Sequence, residues 1–535
     1  MIDRRVITIK KGGSCGKRFE PFPFLREPFT QRNGALNAAR STRNIPHNRV
    51  VSVEARAERF LEGTKSMKRI IIALSILLAA YTFFYFSQTH ASSGSLDAIA
   101  QPTLAAQEAS SRPNDDLPRL HTVLKKGLDE NNYLAPLMEL QEREAQYLSS
   151  EQMRGNYLDY MTLLNSYVSN FEAAYSYEEK FLSDIEPRSR IRERNARELS
   201  SSPVDNYRTR DAFEVINAAA DTHQVIMINE EHRTPVHRAF TLRLLATLYA
   251  KGFRYFAAET LYSADAELNR RGYPTQKTGF YTSDPVYGDM IRTALRLGFK
   301  VIPYEYEGTC TPQPNNPQSC DEERERSQAQ NLVDRILRND PKAKVLVHVG
   351  RGHNSKTKYE GEFAFMAWHF REISGINPFS IDQLQYSERR NPLDEDPLYR
   401  YVTRKGLIHE PTVFQSTEGR FWVRNPGYDL QVFHPRARYE MGRATWLQMG
   451  GLRRPSTINL RRLNLAARHQ QFSGREPVLV QAFFAGESAD AVPVDQIVLY
   501  PAREVPVLML PKGALRIRAI NRLGRLIGQY SSAAR

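Results

Sequence analysis

The sequence predicts an α/β protein: a mostly parallel sheet flanked by helices, with an N-terminal helical segment and a C-terminal β-sandwich-like domain. Three observations predict it. Near-continuous apolar runs alternate with amphipathic stretches between about residues 211 and 386, the pattern of a parallel sheet covered on both faces. Aromatic and aliphatic residues recur at three- and four-residue spacing before that region. Short strand-like pieces bounded by turn residues close the chain.

At 535 residues the chain exceeds one ordinary domain, and its 41% hydrophobic and 25% charged residues are those of a globular protein. The net charge of +14 is concentrated at the start. Residues 1–66 together with Lys68 and Arg69 carry +10 of it, and the +4 that remains gives no ground for nucleic-acid binding.

Met67-Lys68-Arg69 is a short positive stretch, Ile70 to Phe86 is an uncharged apolar run, and Ala91 is a small residue suited to precede a cleavage point. Residues 67–91 therefore read as a signal peptide or signal anchor. The remainder is expected to be periplasmic or secreted, or anchored to the inner membrane by residues 70–86. Residues 1–66 lack sustained periodicity and are rich in Arg, Asn and Pro. They read as a non-native or disordered leader translated ahead of a true start at Met67, with a basic cytoplasmic tail as the alternative. Residues 92–116, rich in Ser, Ala, Gln and Pro, read as a flexible linker.

Residues 117–205 are expected to be helical. Tyr157, Tyr160, Met161, Leu164, Tyr167, Val168, Phe171, Ala174 and Tyr175 give them one apolar face. Residues 206–386 form the predicted α/β domain. Its strands are Gln224 to Asn229, Arg254 to Glu259, Lys300 to Glu305 and Lys344 to Val349. Its helices are Val236 to Lys251, Ser283 to Leu297, Glu322 to Arg338 and about Tyr359 to Ile373. Gly252 and Gly298 stand where two of these helices should end. Cys310 and Cys320 flank a Pro- and Asn-rich loop, and in an oxidising compartment they are expected to form a disulfide. Residues 387–454 read as irregular with short strands. Residues 455–535 read as a small β-sandwich in which Val478 to Phe484, Ile497 to Tyr500, Leu515 to Ala519 and Leu526 to Tyr530 are strands. Trp422 and Trp446 are read as core residues.

Ligands of parallel sheets bind beyond the carboxyl ends of the strands. Here those ends read Asn229-Glu230-Glu231-His232, Ala258-Glu259-Thr260, Tyr304-Glu305-Tyr306-Glu307 and Gly350-Arg351-Gly352-His353. Every strand delivers an acid, an imidazole or both to one edge. Carboxylates among apolar neighbours and other acids act as general bases near neutrality, and histidines orient water, stabilise an oxyanion or hold a divalent metal. No serine or cysteine stands in a nucleophile-elbow setting, which points to water as the nucleophile. The candidate catalytic residues are Glu230, His232, Glu259 and His353, with Glu231, Glu305, Arg324 and Glu325 in support. The blander readings are specific. Glu230 and Glu231 also suit the positive end of the helix near Pro235. Arg324 and Glu325 stand equally as a solvated helix start. His348, in mid-strand, reads as a hydrogen-bonded core histidine, and His223 and His237 as surface residues.

Four of these motifs, in this order, resemble the erythromycin esterase, ChaN and TIKI superfamily. They are Asn229-Glu230-Glu231-His232, the strand ending in Glu259, the helix start Arg324-Glu325-Arg326-Ser327-Gln328-Ala329-Gln330-Asn331, and the strand, glycine and histidine of Val347 to His353. The resemblance covers roughly a third of the chain. It departs from the family's pattern at Asn229, where a glycine is usual, and so puts the turn before Glu230 in question. The resemblance implies three chemistries. As in the esterases, Glu259 would activate water with help from His232 and His353. As in the TIKI proteases, Glu230 and His232, with His353, would hold a divalent metal. As in ChaN, the edge would hold haem. The expected function is ester or amide hydrolysis on a small-molecule or peptide substrate. A haem- or metal-binding envelope protein without turnover, and a degenerate envelope scaffold, are the alternatives.

Overall fold

The structure is a computed structural model, and it describes residues 117–185, 193, 198–313, 315–316, 318–359, 363–465, 476–500 and 506–534. The leader, the export segment and the linker expected over residues 1–116 lie outside the described residues. Among the described residues no helix is long and apolar enough to cross a membrane.

Five helices open this part of the chain: α1 (Leu120–Asp129), α2 (Leu134–Glu142), α3 (Glu144–Ser149), α4 (Arg154–Tyr167) and α5 (Phe171–Ile185). The aromatic stripe lies inside the core. Tyr157, Tyr160, Met161, Leu164 and Tyr167 of α4 are all buried, and Tyr147 stacks on Tyr157.

An eight-stranded mixed sheet follows. Its strands are β1 (Arg208–Asp211), β2 (Val225–Glu230), β3 (Phe253–Ala258), β4 (Lys300–Pro303), β5 (Lys344–Gly350), β6 (Phe379–Tyr386), β7 (Thr412–Gln415) and β8 (Leu430–Phe433), in the order β1-β7-β8-β6-β2-β5-β3-β4. From β8 to β4 every pairing is parallel, and only β7 runs against its neighbours. The connecting helices are α6 (Ala212–Thr222), α7 (Val236–Ala250), α8 (Pro285–Leu297), α9 (Ser319–Leu332), α10 (Met366–Ser374) and α11 (Pro397–Arg404).

Alternate residues of the central strands enter different cores. Ile226, Ile228, Phe256 and Leu346 join the helical segment, α7 and α8 on one face, while Val225, Met227, Ala257, Val345 and Val347 meet α9 and α10 on the other. Burial on both faces is why these strands read as unbroken apolar runs. Local chemistry sets the helix ends. The Asp211 and Asp284 side chains accept backbone N–H groups at the starts of α6 and α8. Gly298 closes α8 at φ +98, a conformation that a side chain would resist.

Two expectations change. The sheet extends past residue 386, because β7 and β8, short pieces of the region expected to be irregular, pair into it. The helix expected from about Tyr359 starts at Met366, after a two-stranded hairpin of Lys358–Tyr359 and Phe363–Ala364. The start is set from outside the segment: the Glu325 carboxylate of α9 accepts the Met366 N–H at 2.5 Å.

The C-terminal part is two antiparallel sheets. The first holds β10 (Val478–Phe484), β11 (Asp495–Leu499), β13 (Gly513–Ile520) and β14 (Leu526–Ala534), in the order β11-β10-β13-β14. The second pairs β9 (Arg453–Thr457) with β12 (Val507–Pro511). Val480, Leu508, Leu510, Leu515 and Ile517 make a core of their own, but Leu479, Val498, Met509 and Ile520 belong to the core of the helical segment and the large sheet. Trp446 packs partly buried against that larger core, and Trp422 against a smaller cluster around Tyr386 and Phe433.

Candidate active site

The carboxyl ends of β2, β3, β4 and β5 meet at one edge, where α9 adds Arg324 and Glu325, so that seven of the eight candidate residues fall in two linked polar clusters and Glu231 lies at their rim.

The first cluster surrounds Glu230, the last residue of β2. Parallel register sets Ile228 beside His348 and Glu230 beside Gly350, so the Glu230 and His348 side chains share a face. Glu230 Oε1 accepts from His232 Nδ1 at 2.9 Å and from Arg238 Nη2 at 2.7 Å. Its Oε2 accepts from Arg238 Nε at 2.6 Å and from His348 Nε2 at 2.8 Å. Arg238 also pairs with Asp284 and donates to the carbonyl of His232 at 2.8 Å. Burial alone would raise the Glu230 carboxyl, but the Arg238 charge and the two histidines hold it well below the usual carboxylate range. With a carboxylate on Nδ1, His232 carries its proton there, and Nε2 becomes the basic nitrogen. Its ring stacks on Tyr281 at 4.0 Å and 7°.

The second cluster surrounds Glu259, the residue after β3. Its Oε1 accepts from Arg324 Nη2 at 2.7 Å, and its Oε2 accepts the Gly350 N–H. His353 lies beyond, with Nε2 3.5 Å from Glu259 Oε1 and 3.1 Å from Arg324 Nη1, and Nδ1 2.5 Å from Glu325 Oε1. Arg324, Gln328 and Asn331 are spaced to share one face of α9, and all three reach the end of β4. Arg324 Nε and Nη2 donate to Glu305 at 3.2 and 3.1 Å, Gln328 donates to Glu305 at 2.8 Å, and Asn331 bonds the carbonyls of Tyr304 and Glu305.

Gly350 joins the clusters. A side chain there would collide with the Cε1–Nε2 edge of His232 and come within 2.9 Å of Glu259 Oε2. The basic edge of His232 and the Glu259 carboxylate therefore converge on one Cα. The backbone beside each acid is also unusual. Thr260 sits at φ +72 and Arg351 at φ +40, conformations that non-glycine residues adopt at a cost.

Five carboxylates (Glu230, Asp284, Glu259, Glu305 and Glu325) face two guanidiniums, Arg238 and Arg324, in this buried edge. The excess negative charge retains protons. Burial opposes a charge on His353, but Glu325 and Glu259 outweigh it and raise the histidine above its ordinary value. Burial, reinforced by the Glu259 charge, raises Glu305 despite Arg324, and burial raises Asp284 despite Arg238.

Glu231 sits at the rim. Burial would raise its carboxyl, but Arg233 and Arg351, at 3.0 and 3.3 Å, hold it well below the usual range. Arg233 in turn reaches Asp159 of α4 at 3.1 Å, so Glu231 fastens the edge to the helical segment rather than to a helix dipole. Asn229, which stands where a glycine was expected, ties β2 to the end of β5 and to the middle of β6. Its Nδ2 donates to the Arg351 carbonyl at 2.7 Å and to Asp382 at 2.8 Å, and its Oδ1 accepts the Gln383 N–H at 2.9 Å.

Three histidine and arginine assignments are corrected or refined. His237 is not a surface residue: it is buried, bonded to the Glu231 N–H at 3.0 Å and the Ser387 hydroxyl at 3.1 Å, and burial lowers its pKa to about 3. His348 is a hydrogen-bonded core histidine, and its partner is Glu230. Arg324 faces the site. Sequence reasoning passed over Arg238, Asp284 and Tyr281. The local sequence carried no sign that set Arg238 apart, since α7 also holds Arg243.

The donor set does not suit a divalent metal. Both oxygens of Glu230 are occupied by Arg238 and histidine donors, Glu259 is occupied by Arg324 and a backbone N–H, and each guanidinium stands where a cation would bind. Among the described residues no cluster of His, Cys, Asp and Glu has metal-binding geometry. Haem fits no better. The rim of the edge carries the charged residues Glu231, Arg233 and Arg351, a surface that disfavours an apolar macrocycle.

No known protein-family pattern and no curated protein matches the chain. Solved structures show remote likeness. The type III effector HopBA1 shares 14% identity over 44% of this chain and 99% of its own, at a TM-score of 0.28. ChaN of Campylobacter jejuni, a haem-binding protein, shares 13% over 36% of this chain and 95% of its own, at 0.25. RRSP, a MARTX toxin effector domain from Vibrio vulnificus, shares 15% over 49% of this chain and 61% of its own, at 0.25. Likeness at this level assigns neither family nor activity.

Proposed function

We propose that this chain is an exported, metal-independent hydrolase of ester or amide bonds, with His232 as the base. The observation that carries the reading is the pairing of Glu230 with His232 Nδ1 at 2.9 Å, which leaves the Nε2 edge against Gly350 and Glu259. A carboxylate–imidazole pair of this kind fixes the tautomer and stabilises the imidazolium that forms. Both Glu259 oxygens are engaged, one by Arg324 and the other by the Gly350 N–H, so the role expected for it passes to His232.

In the proposed reaction His232 Nε2 takes a proton from water as the water oxygen bonds to the substrate carbonyl carbon. Arg324 and protonated His353 stand on the far side of the edge and offset the negative charge on the carbonyl oxygen. The C–O or C–N bond then breaks, and the leaving group takes a proton from His353. Glu259 lies between the two histidines and returns the proton from His232 to His353. Glu305 and Gln328 hold Arg324 in place. Export agrees with the Cys310–Cys320 disulfide, a bond of oxidising compartments.

The test is hydrolysis of a panel of p-nitrophenyl esters and of unstructured proteins by the purified protein, with and without EDTA, alongside its visible absorption spectrum. Turnover indifferent to EDTA and reduced roughly 10²–10⁴-fold by His232→Ala supports the reading. Turnover abolished by EDTA, or a stoichiometric haem band, would overturn it. Undiminished turnover in His232→Ala would return the base to Glu259.

A further inference from the structure

Residues 274–284 cross the strand ends and carry Tyr281, the ring stacked on His232. The large sheet holds this segment from one side. Thr260 Oγ1 accepts the N–H groups of Phe280 and Tyr281, each at 3.1 Å, and Gly279 packs on the Thr260 carbonyl.

From the other side it is held by parts of the chain with no residue in the site. The loop between β10 and β11 pairs with it along the backbone: Gln276 N–H donates to the Asp490 carbonyl at 3.0 Å, Val492 N–H to the Pro274 carbonyl at 3.1 Å, and Thr275 bridges Ala491. Arg292 of α8 clamps the same loop through a buried two-armed pair with Glu487, both arms 2.7 Å. The turn between α1 and α2 supplies the node. Asn131 is buried at φ +56. Its Nδ2 donates to the carbonyls of Ala489 at 3.0 Å and Ala491 at 2.7 Å, and its Oδ1 accepts from Gln276 Nε2 at 2.8 Å. Its carbonyl accepts from Gln481 of β10 at 3.1 Å and Arg518 of β13 at 3.2 Å. Gln276 also reaches the Tyr133 hydroxyl at 2.7 Å, which donates to the Ser283 carbonyl at 2.7 Å.

We infer that Asn131 and Gln276 are positioning residues for the active site, through which the C-terminal sheet and the N-terminal helices hold Tyr281 against His232. The C-terminal sheet is then the outer wall of the segment that orients the base. The inference deepens the hydrolase reading and rests on His232 being the base.

The test is hydrogen exchange followed by mass spectrometry on full-length Asn131→Gly, in which the left-handed backbone is kept and every side-chain bond is lost. Gln276→Leu serves as a second variant that decides the matter if the first does not fold. Arg522→Ala is the control: it removes an exposed pair with Glu142 at the rim of the same junction. Exchange of residues 274–284 is expected to rise about tenfold in the first two variants, with residues 344–350 unchanged and Arg522→Ala like the parent. With histidine-selective labelling, the His232 resonance should shift as the Tyr281 ring moves off it, and kcat should fall about tenfold at nearly constant KM. Unchanged exchange in 274–284, or exchange that rises equally across the central strands, would overturn the inference. A parent protein without turnover would sink the hydrolase reading alone, because exchange and the His232 resonance report on the segment independently.

Discussion

At the scale of single residues, Arg238 is costly to change. It is fully buried between Glu230 and Asp284, and methionine in its place would leave two acids without their counter-charge. Breaking a buried pair in this way costs about 3–5 kcal/mol. Arg238→Met should lower the urea midpoint accordingly, whereas Arg522→Ala at the surface should leave it almost unmoved. Gly350 tests geometry rather than stability. Gly350→Ala would push the His232 ring away from Glu259, and a displacement near 1 Å costs on the order of 100-fold in rate. The expected outcome is a folded protein with turnover reduced by about that factor, checked by circular dichroism and by the ester assay.

Protonation belongs to the same scale, and its two ends have opposite signs. His353 has a folded pKa raised above 6.5, chiefly by Glu325 and Glu259 working against burial. Its contribution to stability is therefore complete below about pH 6.5 and is lost as pH rises through the folded value. Glu230 has a lowered folded pKa, so its contribution is present above about pH 4.5 and is lost as pH falls through the folded value. Urea midpoints measured between pH 4 and pH 9 (about the range set by these two groups) should decline on the alkaline side, and His353→Gln should flatten that decline. An unchanged alkaline slope in the variant would show that His353 is not its source.

At the scale of elements, α9 decides whether the second cluster exists. One face of this helix carries Arg324, Gln328 and Asn331 to the end of β4, and Glu325 reaches both His353 and the start of α10. Cys320 lies in the first turn of α9 and is bonded to Cys310, one turn of helix before Arg324. The disulfide therefore anchors the end of α9 that serves the site. Closing so short a loop is worth about 2–3 kcal/mol. Replacing both cysteines by serine should lower stability by that order. It should also speed hydrogen exchange at the start of α9 more than at its end. Equal exchange along α9 would mean that the bond stabilises the loop alone.

At the scale of the whole molecule, the three regions are packed as one body. Leu479, Val498, Met509 and Ile520 of the C-terminal sheets lie in the same core as α4, α7 and α8, and buried pairs of Arg443 with Asp495 and Arg453 with Asp289 cross the junction. A chain ending at residue 454 would expose that apolar surface and leave Arg443 without the Asp495 carboxylate. It should be recovered as an expanded, protease-sensitive species rather than as a free α/β domain. A truncated chain that resists proteolysis as the intact protein does would contradict this reading.

What could be read along the chain and what could not separate on a physical line. The periods of strand and helix and the helix-ending glycines are local, and they sufficed for the parallel sheet, the helical segment and the antiparallel C-terminal strands. The acid or histidine at each strand end was local too, and parallel strands must bring such ends to one edge. Partnership is another matter. Glu230 meets His348 across 118 residues, Arg238 meets Asp284 across 46, and Asn131 meets Ala491 across 360. No periodicity encodes those distances. The same limit applied to His237, which is buried and bonded to Ser387, 150 residues away, and to the start of α10, which is capped by a carboxylate from α9. Sequence-local chemistry placed acids and histidines at one edge. Packing between distant segments assigned each its partner and counter-charge.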